Sequence, residues 1–113
     1  MVMKGIGIDI IKINRFRRIP YKKRPSFYKN IFTNLEIEYC LGKKDPYPSF
    51  AARFAAKEAI VKAVGGTIYK ARQIEIRKGS SGRPMVKLQG RKKILLSLSH
   101  DGEYAAAIAL WLN

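Results

Sequence analysis

The sequence predicts an α+β domain in which helices pack on a mainly antiparallel sheet. Three observations support this. An isoleucine-rich segment near the N-terminus has the composition of a strand, the middle of the chain carries start and stop signals for helices, and residues 73–112 change to a period of two. A run of helices followed by a run of strands favours an α+β domain over an alternating parallel one.

The length of the chain limits how it can be organised. At 113 residues it can bury one hydrophobic core, so we expect a single domain over residues 1–113, with oligomerisation as a further source of stability. No apolar run approaches the roughly 20 residues that span a bilayer, and the N-terminus lacks the pattern of a signal peptide. A single cysteine, Cys40, excludes an internal disulfide. We therefore expect a soluble, cytoplasmic protein with no membrane partner.

The first elements follow from composition and prolines. Residues 4–10 predict a buried strand, and residues 13–19 predict a short basic helix that Pro20 ends. Residues 21–30, with Pro25 inside them, indicate a loop or a broken helix.

Two further helices are marked by their ends. Thr33 and Glu36 have the spacing of a capping box, and Gly42 is placed to close the helix they open. After a proline-containing loop, Ser49 is the expected cap of the longest helix, which ends near Val64.

The rest of the chain predicts antiparallel strands. Asp101 and Gly102 form a strong two-residue hairpin signal, and residues 79–82 form a second turn. The expected strands cover residues 73–77, 85–88, 94–99 and 103–112.

The charge balance points to an anionic partner. The chain has 23 Lys and Arg residues against 8 Asp and Glu residues, which gives a formal net charge of +15. Such a field attracts nucleic acid, a phosphorylated cofactor or an acidic protein. A charged, thermostable surface would give the same composition, so charge alone does not select a partner.

Asp9 is the first carboxylate with a candidate role. Alternation along the strand puts Ile6, Ile8 and Ile10 on one face, and Asp9 on the other with two glycines. We expect the glycines to leave space where a ligand or an ion approaches the carboxylate. The simpler interpretation is an aspartate that caps the following helix.

Glu58 is the second carboxylate with a candidate role. It lies among alanines in the longest helix, four residues before Lys62, so the two side chains share a helix face. An exposed ion pair would explain this spacing equally well. If Asp9 and Glu58 meet, two carboxylates beside a lysine suit a magnesium–phosphate site. The other carboxylates in polar surroundings need no special role: Glu36, Glu38, Asp45, Glu75 and Glu103.

Two other features have both a functional and a structural interpretation. The sequence Gly65-Gly66-Thr67 could offer backbone N–H groups to a phosphate, but glycines also end helices. His100, the only histidine, is either a ligand contact or a structural residue at a strand end. Without further histidines or clustered cysteines, a zinc site is disfavoured.

Five segments together resemble the holo-acyl-carrier-protein synthase family of 4'-phosphopantetheinyl transferases. Their order and spacing match those of the family almost from end to end. The segments are residues 5–10 (GIGIDI) with Arg15, residues 32–40 (FTNLEIEYC), residues 53–63 (RFAAKEAIVKA), residues 81–84 (SGRP) and residues 97–101 (SLSHD).

The resemblance implies a transferase that moves phosphopantetheine from coenzyme A to a serine of an acidic acyl carrier protein in fatty acid biosynthesis. Asp9 and Glu58 would hold Mg²⁺, and Lys62 would contact the transferred phosphate. The base that takes the serine proton stays open between Glu58 and a water on the metal. The family also implies a homotrimer with active sites between subunits.

The resemblance implies contacts to both substrates as well. Arg53 and His100 match contacts to the 3'-phosphate end of coenzyme A. The nucleotide pocket would be lined by Gly65, Gly66, Thr67 and Pro84. Arg15 matches the arginine that docks the carrier protein, and Phe54 is assigned to the same surface.

Part of the chain departs from the family. Gly65-Gly66-Thr67 stands where the family has Gly-Thr-Gly, and the basic residues within 19–30 fit either an extra carrier-binding surface or a solvated loop. Two other functions remain as alternatives. The charge and aromatic residues would suit a nucleic-acid-binding domain, although no known motif supports it and we expect no nucleic-acid partner. An inactive interaction subunit with the same fold would bind partners without turnover.

Overall fold

The computed structural model describes residues 2–66, 69–90 and 92–113. Their strands are β1 (Met3–Lys12), β2 (Glu75–Lys78), β3 (Pro84–Lys87), β4 (Lys93–Asp101) and β5 (Tyr104–Leu112). Their helices are α1 (Asn14–Arg17), α2 (Pro25–Ile31), α3 (Asn34–Leu41) and α4 (Tyr47–Ala63), with a short 3₁₀ turn at Ala71–Gln73.

Two antiparallel sheets confirm the predicted fold class. The larger has the strand order β1-β5-β4, and β2 with β3 forms a separate two-stranded sheet. All three strand pairings are antiparallel. The hairpin expected at Asp101 and Gly102 joins β4 to β5, and α4 packs across the three-stranded sheet. No helix in the described ranges has the length and apolar character needed to cross a bilayer.

The capping box of α3 forms as its sequence predicts. The Thr33 hydroxyl accepts from the N–H of Glu36, the Glu36 carboxylate accepts from the N–H of Thr33, and Gly42 follows the last turn. These bonds satisfy two N–H groups that the first turn of a helix leaves free.

The start of α4 differs from the prediction. The helix begins at Tyr47, and Ser49 lies inside its first turn instead of capping it. The Asp45 carboxylate accepts the Tyr47 N–H, and Pro48, which has no N–H to satisfy, fits the first turn. The proline-containing loop between α3 and α4 is therefore shorter than expected.

The region between β1 and α3 is more ordered than expected. Pro25 opens helix α2, which covers most of the segment expected to be a loop or broken helix. The predicted first helix is only one turn long. The buried Tyr28 hydroxyl is within hydrogen-bond distance of the carbonyls of Phe16 and Ile19, which fixes the connection between α1 and α2.

The core has an aromatic end and an alanine-rich end. Phe16, Tyr28, Phe32 and Phe50 form a cluster with ring centroids 4.7 to 6.1 Å apart, held between the small helices and α4. Towards the sheet, α4 presents buried alanines, which let the helix backbone approach the strands closely. This close approach determines the geometry of the candidate site.

Candidate active site

Strand β1 and helix α4 are in backbone contact along the face of β1 that carries the glycines. A Cβ atom added to Gly5 would lie 1.8 Å from the carbonyl oxygen of Ala63, and one added to Gly7 would lie 1.9 Å from that of Ala59. The space that a side chain would need at these two positions is therefore occupied by the backbone of α4. The expectation that they leave space for a ligand is wrong, and so is the expectation that residues 4–10 form a buried strand, because Ile6 is 58% exposed.

The same contact brings Asp9 to the helix. From Gly5 to Gly7 the strand advances two residues while the contact on α4 moves back four, so Asp9 lies beside the turn that precedes Ala59. Helical side chains lean towards the N-terminus of their helix. Lys62 accordingly reaches back, with its Nζ 3.3 Å from Oδ1 of Asp9 and 2.9 Å from the carbonyl oxygen of Ile8.

Glu58 is the third charged residue of the predicted site. It is half-buried, one turn before Lys62 and on the same face of α4. The Asp9 side chain is 19% exposed and that of Lys62 is 55% exposed, so the group opens to solvent at the end of the β1–α4 contact. Lys62 thus contacts Asp9, and Glu58 lies one turn earlier on the face of α4 that carries Lys62.

This donor set suits magnesium better than zinc. Within the described part of the chain, no group of three or more His, Cys, Asp or Glu side chains could surround a metal. Mg²⁺ is commonly held by one or two carboxylates, with waters and substrate phosphates as its other ligands. Asp9 and Glu58, open to solvent beside a lysine, match that pattern.

A second cationic site lies nine residues earlier on α4. Arg53 is buried, and its guanidinium carbon is 4.1 Å from the centroid of the Tyr39 ring. It borders a cleft of about 250 Å³, and none of the described residues that line it carries a carboxylate. The lining residues are Tyr39, Arg53, Arg77, Lys78, Gly82, Pro84, Ser97 and Leu98. The cleft is therefore suited to an anion.

The positive potential here also acts on the Tyr39 phenol. Burial alone would raise its pKa, but the ammonium of Lys43 and the guanidinium of Arg53 outweigh burial and lower the pKa. Tyr39, Arg77 and Lys78 were not predicted as site residues. Only the tyrosine spacing in residues 32–40 connects any of them to a motif.

Glu36 and Lys57 form a buried ion pair beside the site. Their Nζ–Oε1 distance is 2.6 Å, and both side chains are 1% exposed or less. Glu36 was assigned no special role, and this was wrong. The capping-box pattern explains its bonds to Thr33, but nothing local in the sequence indicates that it also meets Lys57 and the N–H of Ile76.

The other predicted site residues are spread around the two cationic sites. The N–H groups of Gly65 and Gly66 are donated to the carbonyls of Lys62 and Val61, as expected of a helix stop. Pro84 borders the Arg53 cleft, while Thr67 lies outside the described residues. His100 is exposed at the end of β4, where alternation puts it on the same face as Leu98 of the cleft.

Arg15 and Phe54 meet on the surface between α1 and α4. The Arg15 guanidinium is 5.6 Å from the centroid of the half-buried Phe54 ring, which also packs against Phe16. Arg15 itself is exposed. Together they offer a positive charge over an apolar base, a combination that suits an acidic, amphipathic partner.

The family follows from comparison with known proteins. Residues 5–109 match the model of the 4'-phosphopantetheinyl transferase superfamily, and the chain belongs to this superfamily. One relative is the protein named holo-[acyl-carrier-protein] synthase in Chlamydia trachomatis serovar L2, which is 45% identical over 117 aligned residues. The alignment covers 96% of this chain and 98% of that protein.

Solved structures agree with the sequence comparison. A holo-(acyl-carrier-protein) synthase from Bacillus anthracis in complex with CoA (3',5'-ADP) superposes with a TM-score of 0.87 at 34% identity, covering 98% of this chain and 97% of that one. The Helicobacter pylori holo-[acyl-carrier-protein] synthase in complex with coenzyme A gives 0.82 at 29% identity, covering 95% and 99%. The phosphopantetheinyl transferase fold and the resemblance seen in the sequence are thereby confirmed.

Proposed function

We propose that this protein transfers the 4'-phosphopantetheine group of coenzyme A to a serine of an apo acyl carrier protein and releases 3',5'-ADP. The observation that carries this proposal is the contact of Lys62 with Asp9, one turn of α4 after Glu58, in a member of this superfamily. Relatives named holo-[acyl-carrier-protein] synthase support the choice of both substrates.

Asp9 and Glu58 would hold Mg²⁺, the ion that their number and exposure suit. When bound, the ion would supply positive charge to the diphosphate of coenzyme A. Lys62 adds an exposed ammonium beside Asp9 and neutralises charge on the phosphoryl group as it is transferred.

The reaction is a displacement at phosphorus. The serine Oγ forms a bond to the β-phosphorus of coenzyme A, the bond from that phosphorus to the bridging oxygen breaks, and 3',5'-ADP leaves with the electron pair. The serine proton has to be taken by a base. Glu58 is this chain's own candidate because its carboxylate is half-buried beside the group.

The nucleotide end of coenzyme A would occupy the cleft beside Arg53. Pro84 lines this cleft. On β4, His100 lies two residues after Leu98 of the cleft and on the same face of the strand. The N–H groups of Gly65 and Gly66 are already bonded to helix carbonyls, so these glycines would contact the nucleotide by van der Waals packing. The proposal that Thr67 also lines the nucleotide pocket rests on the sequence alone.

The carrier protein would dock beside α1. Arg15 and Phe54 offer it a cation over an apolar ring, and the net charge of +15 would attract an acidic protein from a distance. Residues 1–113 would form one transferase domain. We propose that its reaction serves fatty acid biosynthesis and takes place in the cytoplasm.

A homotrimer with active sites between subunits would cover the open face of the sheet. Ile8 and Ile108 are opposite each other in the pairing of β1 with β5, so their side chains lie on one face. This face carries an unusual area of exposed apolar surface for a small protein: Ile6, Ile8, Ile10, Leu95 and Ile108 are each at least 38% exposed.

Alanine variants of the two carboxylates test the proposal. Release of 3',5'-ADP from coenzyme A, with an apo carrier protein and magnesium present, should fall at least ~100-fold in Asp9→Ala and in Glu58→Ala. The midpoint of thermal unfolding should change little. Glu38→Ala, which removes an exposed carboxylate from α3, is the matched control. Retention of magnesium-dependent release by both site variants would contradict the proposal.

A further inference from the structure

Arg53 is an unusual side chain because it is buried and forms no ion pair with any residue that the structure describes. It is only 6% exposed, and within the described residues its Nε has no hydrogen-bond partner. A buried guanidinium costs free energy unless it is paired. None of the described residues that line the neighbouring cleft carries a carboxylate, so a bound anion would supply the balancing negative charge.

The anion differs from the one that Lys62 neutralises. Nine residues, or about 14 Å of helix rise, separate Arg53 from Lys62 along α4. Because both side chains lean towards the N-terminus of α4, their charged groups keep this separation, and we assign a different phosphate group to each. Coenzyme A has two separate anionic groups, a diphosphate and a 3'-phosphate monoester. With the diphosphate at Lys62, the 3'-phosphate is the group left for Arg53.

Tyr39 is the side chain that holds Arg53 in this position. An arginine has four rotatable side-chain bonds, so its direction is fixed only by what it packs against. The guanidinium carbon of Arg53 is 4.1 Å from the Tyr39 ring centroid, the distance of a close cation–π contact. Helix α3, which carries Tyr39, is itself fixed at its first turn by the capping box and the buried Glu36.

We propose that Tyr39 is a positioning residue that directs the Arg53 guanidinium at the 3'-phosphate and so sets the preference for coenzyme A over 3'-dephospho-coenzyme A. This inference rests on the proposed function for the identity of the substrate. The contact depends on the aromatic face rather than on the hydroxyl. Phenylalanine should therefore replace tyrosine, whereas leucine should not.

Ligand binding tests the inference without transfer. The affinities of wild type, Tyr39→Leu and Tyr39→Phe for 3',5'-ADP and for 5'-AMP are measured by calorimetry. Tyr39→Leu should weaken 3',5'-ADP binding about tenfold and leave 5'-AMP binding within about twofold. Tyr39→Phe should resemble wild type. In transfer assays, Tyr39→Leu should raise KM for coenzyme A with little change in kcat, and leave KM for 3'-dephospho-coenzyme A unchanged.

Tyr47→Leu is the matched control, because Tyr47 is a half-buried tyrosine at the start of α4, the helix that carries Arg53, and is not among the residues that line the cleft. It should preserve the preference for 3',5'-ADP. Equal weakening of both nucleotides by Tyr39→Leu, or an unchanged preference, would overturn the inference. So would a wild-type protein that binds the two nucleotides equally. Absence of transfer with the binding preference intact would instead count against the proposed function alone.

Discussion

Lys57 carries a charge that is almost fully removed from solvent. Its Nζ is within 2.9 Å of four oxygens, which belong to Glu36, Ile31, Ala71 and Ile74. Burial lowers the pKa of Lys57, and the neighbouring Glu36 carboxylate opposes this effect. The Lys57 ammonium thus links the end of α2 and the first turn of α3 to the residue before β2, the strand whose Arg77 and Lys78 line the Arg53 cleft. In the sequence, Lys57 directly precedes Glu58. Its role is therefore to hold several elements of the site together.

The buried pair leads to a stability prediction. Lys57→Met leaves the Glu36 carboxylate buried and unpaired, so the free energy of unfolding should fall by about 3–5 kcal/mol in urea titrations. The double variant Glu36→Gln/Lys57→Met should lose less than Lys57→Met alone, because no buried charge remains. Arg17→Met, which breaks the exposed pair with Asp45, should cost only about 0–1 kcal/mol. A loss below about 1 kcal/mol for Lys57→Met would contradict this account.

Because the Cys40 thiol is buried, we expect the free energy of unfolding to depend on pH in the alkaline range. Burial raises the pKa of this thiol to about 12 from an ordinary value of 9.0. Between these values the unfolded chain loses the proton while the folded chain keeps it, so stability falls as pH rises above about 9. From pH 9 to 10 the loss should approach about 1 kcal/mol in urea titrations under reducing conditions. Cys40→Ala should show a smaller loss over this interval. An equal slope in both proteins would show that another group is responsible.

At the scale of elements, the contact between β1 and α4 builds the site. It requires glycine at two strand positions because the helix carbonyls occupy the space of a Cβ atom. Gly7→Ala should therefore force the elements apart and lower the free energy of unfolding by about 3 kcal/mol, together with transfer activity. Gly42→Ala is the control, since Gly42 has a helical φ of −72° and its nearest obstacle is a carbonyl at 3.3 Å. A Gly7→Ala protein of unchanged stability would contradict this packing.

The elements also show what sequence reasoning can and cannot provide. The capping box at Thr33 and the hairpin at Asp101 depend on neighbouring residues, so they were predicted correctly. Alternation correctly separated Ile6 from Gly7, but it could not say which face meets the helix. Apolar side chains ordinarily indicate the buried face, whereas here the backbone contact requires the glycine face. The Glu36–Lys57 pair joins residues 21 positions apart, and no local pattern contains that information.

At the scale of the whole molecule, the open sheet face and the high positive charge are the two features that need partners. The exposed isoleucines predict self-association, and Ile8→Glu would place charges in that interface. Light scattering after size exclusion should then report monomers in place of trimers. Leu41→Glu, at an exposed apolar position on α3 away from the sheet, should leave the trimer intact. A monomeric wild-type protein, or a trimer that Ile8→Glu does not affect, would contradict the proposed assembly.

The intact mass of an apo acyl carrier protein, measured after incubation with this protein, coenzyme A and magnesium, tests the central claim most directly. The account predicts a gain equal to one phosphopantetheine group, and no gain when the magnesium is chelated. An unchanged mass with several apo carrier proteins, from a protein shown to be folded, would contradict it.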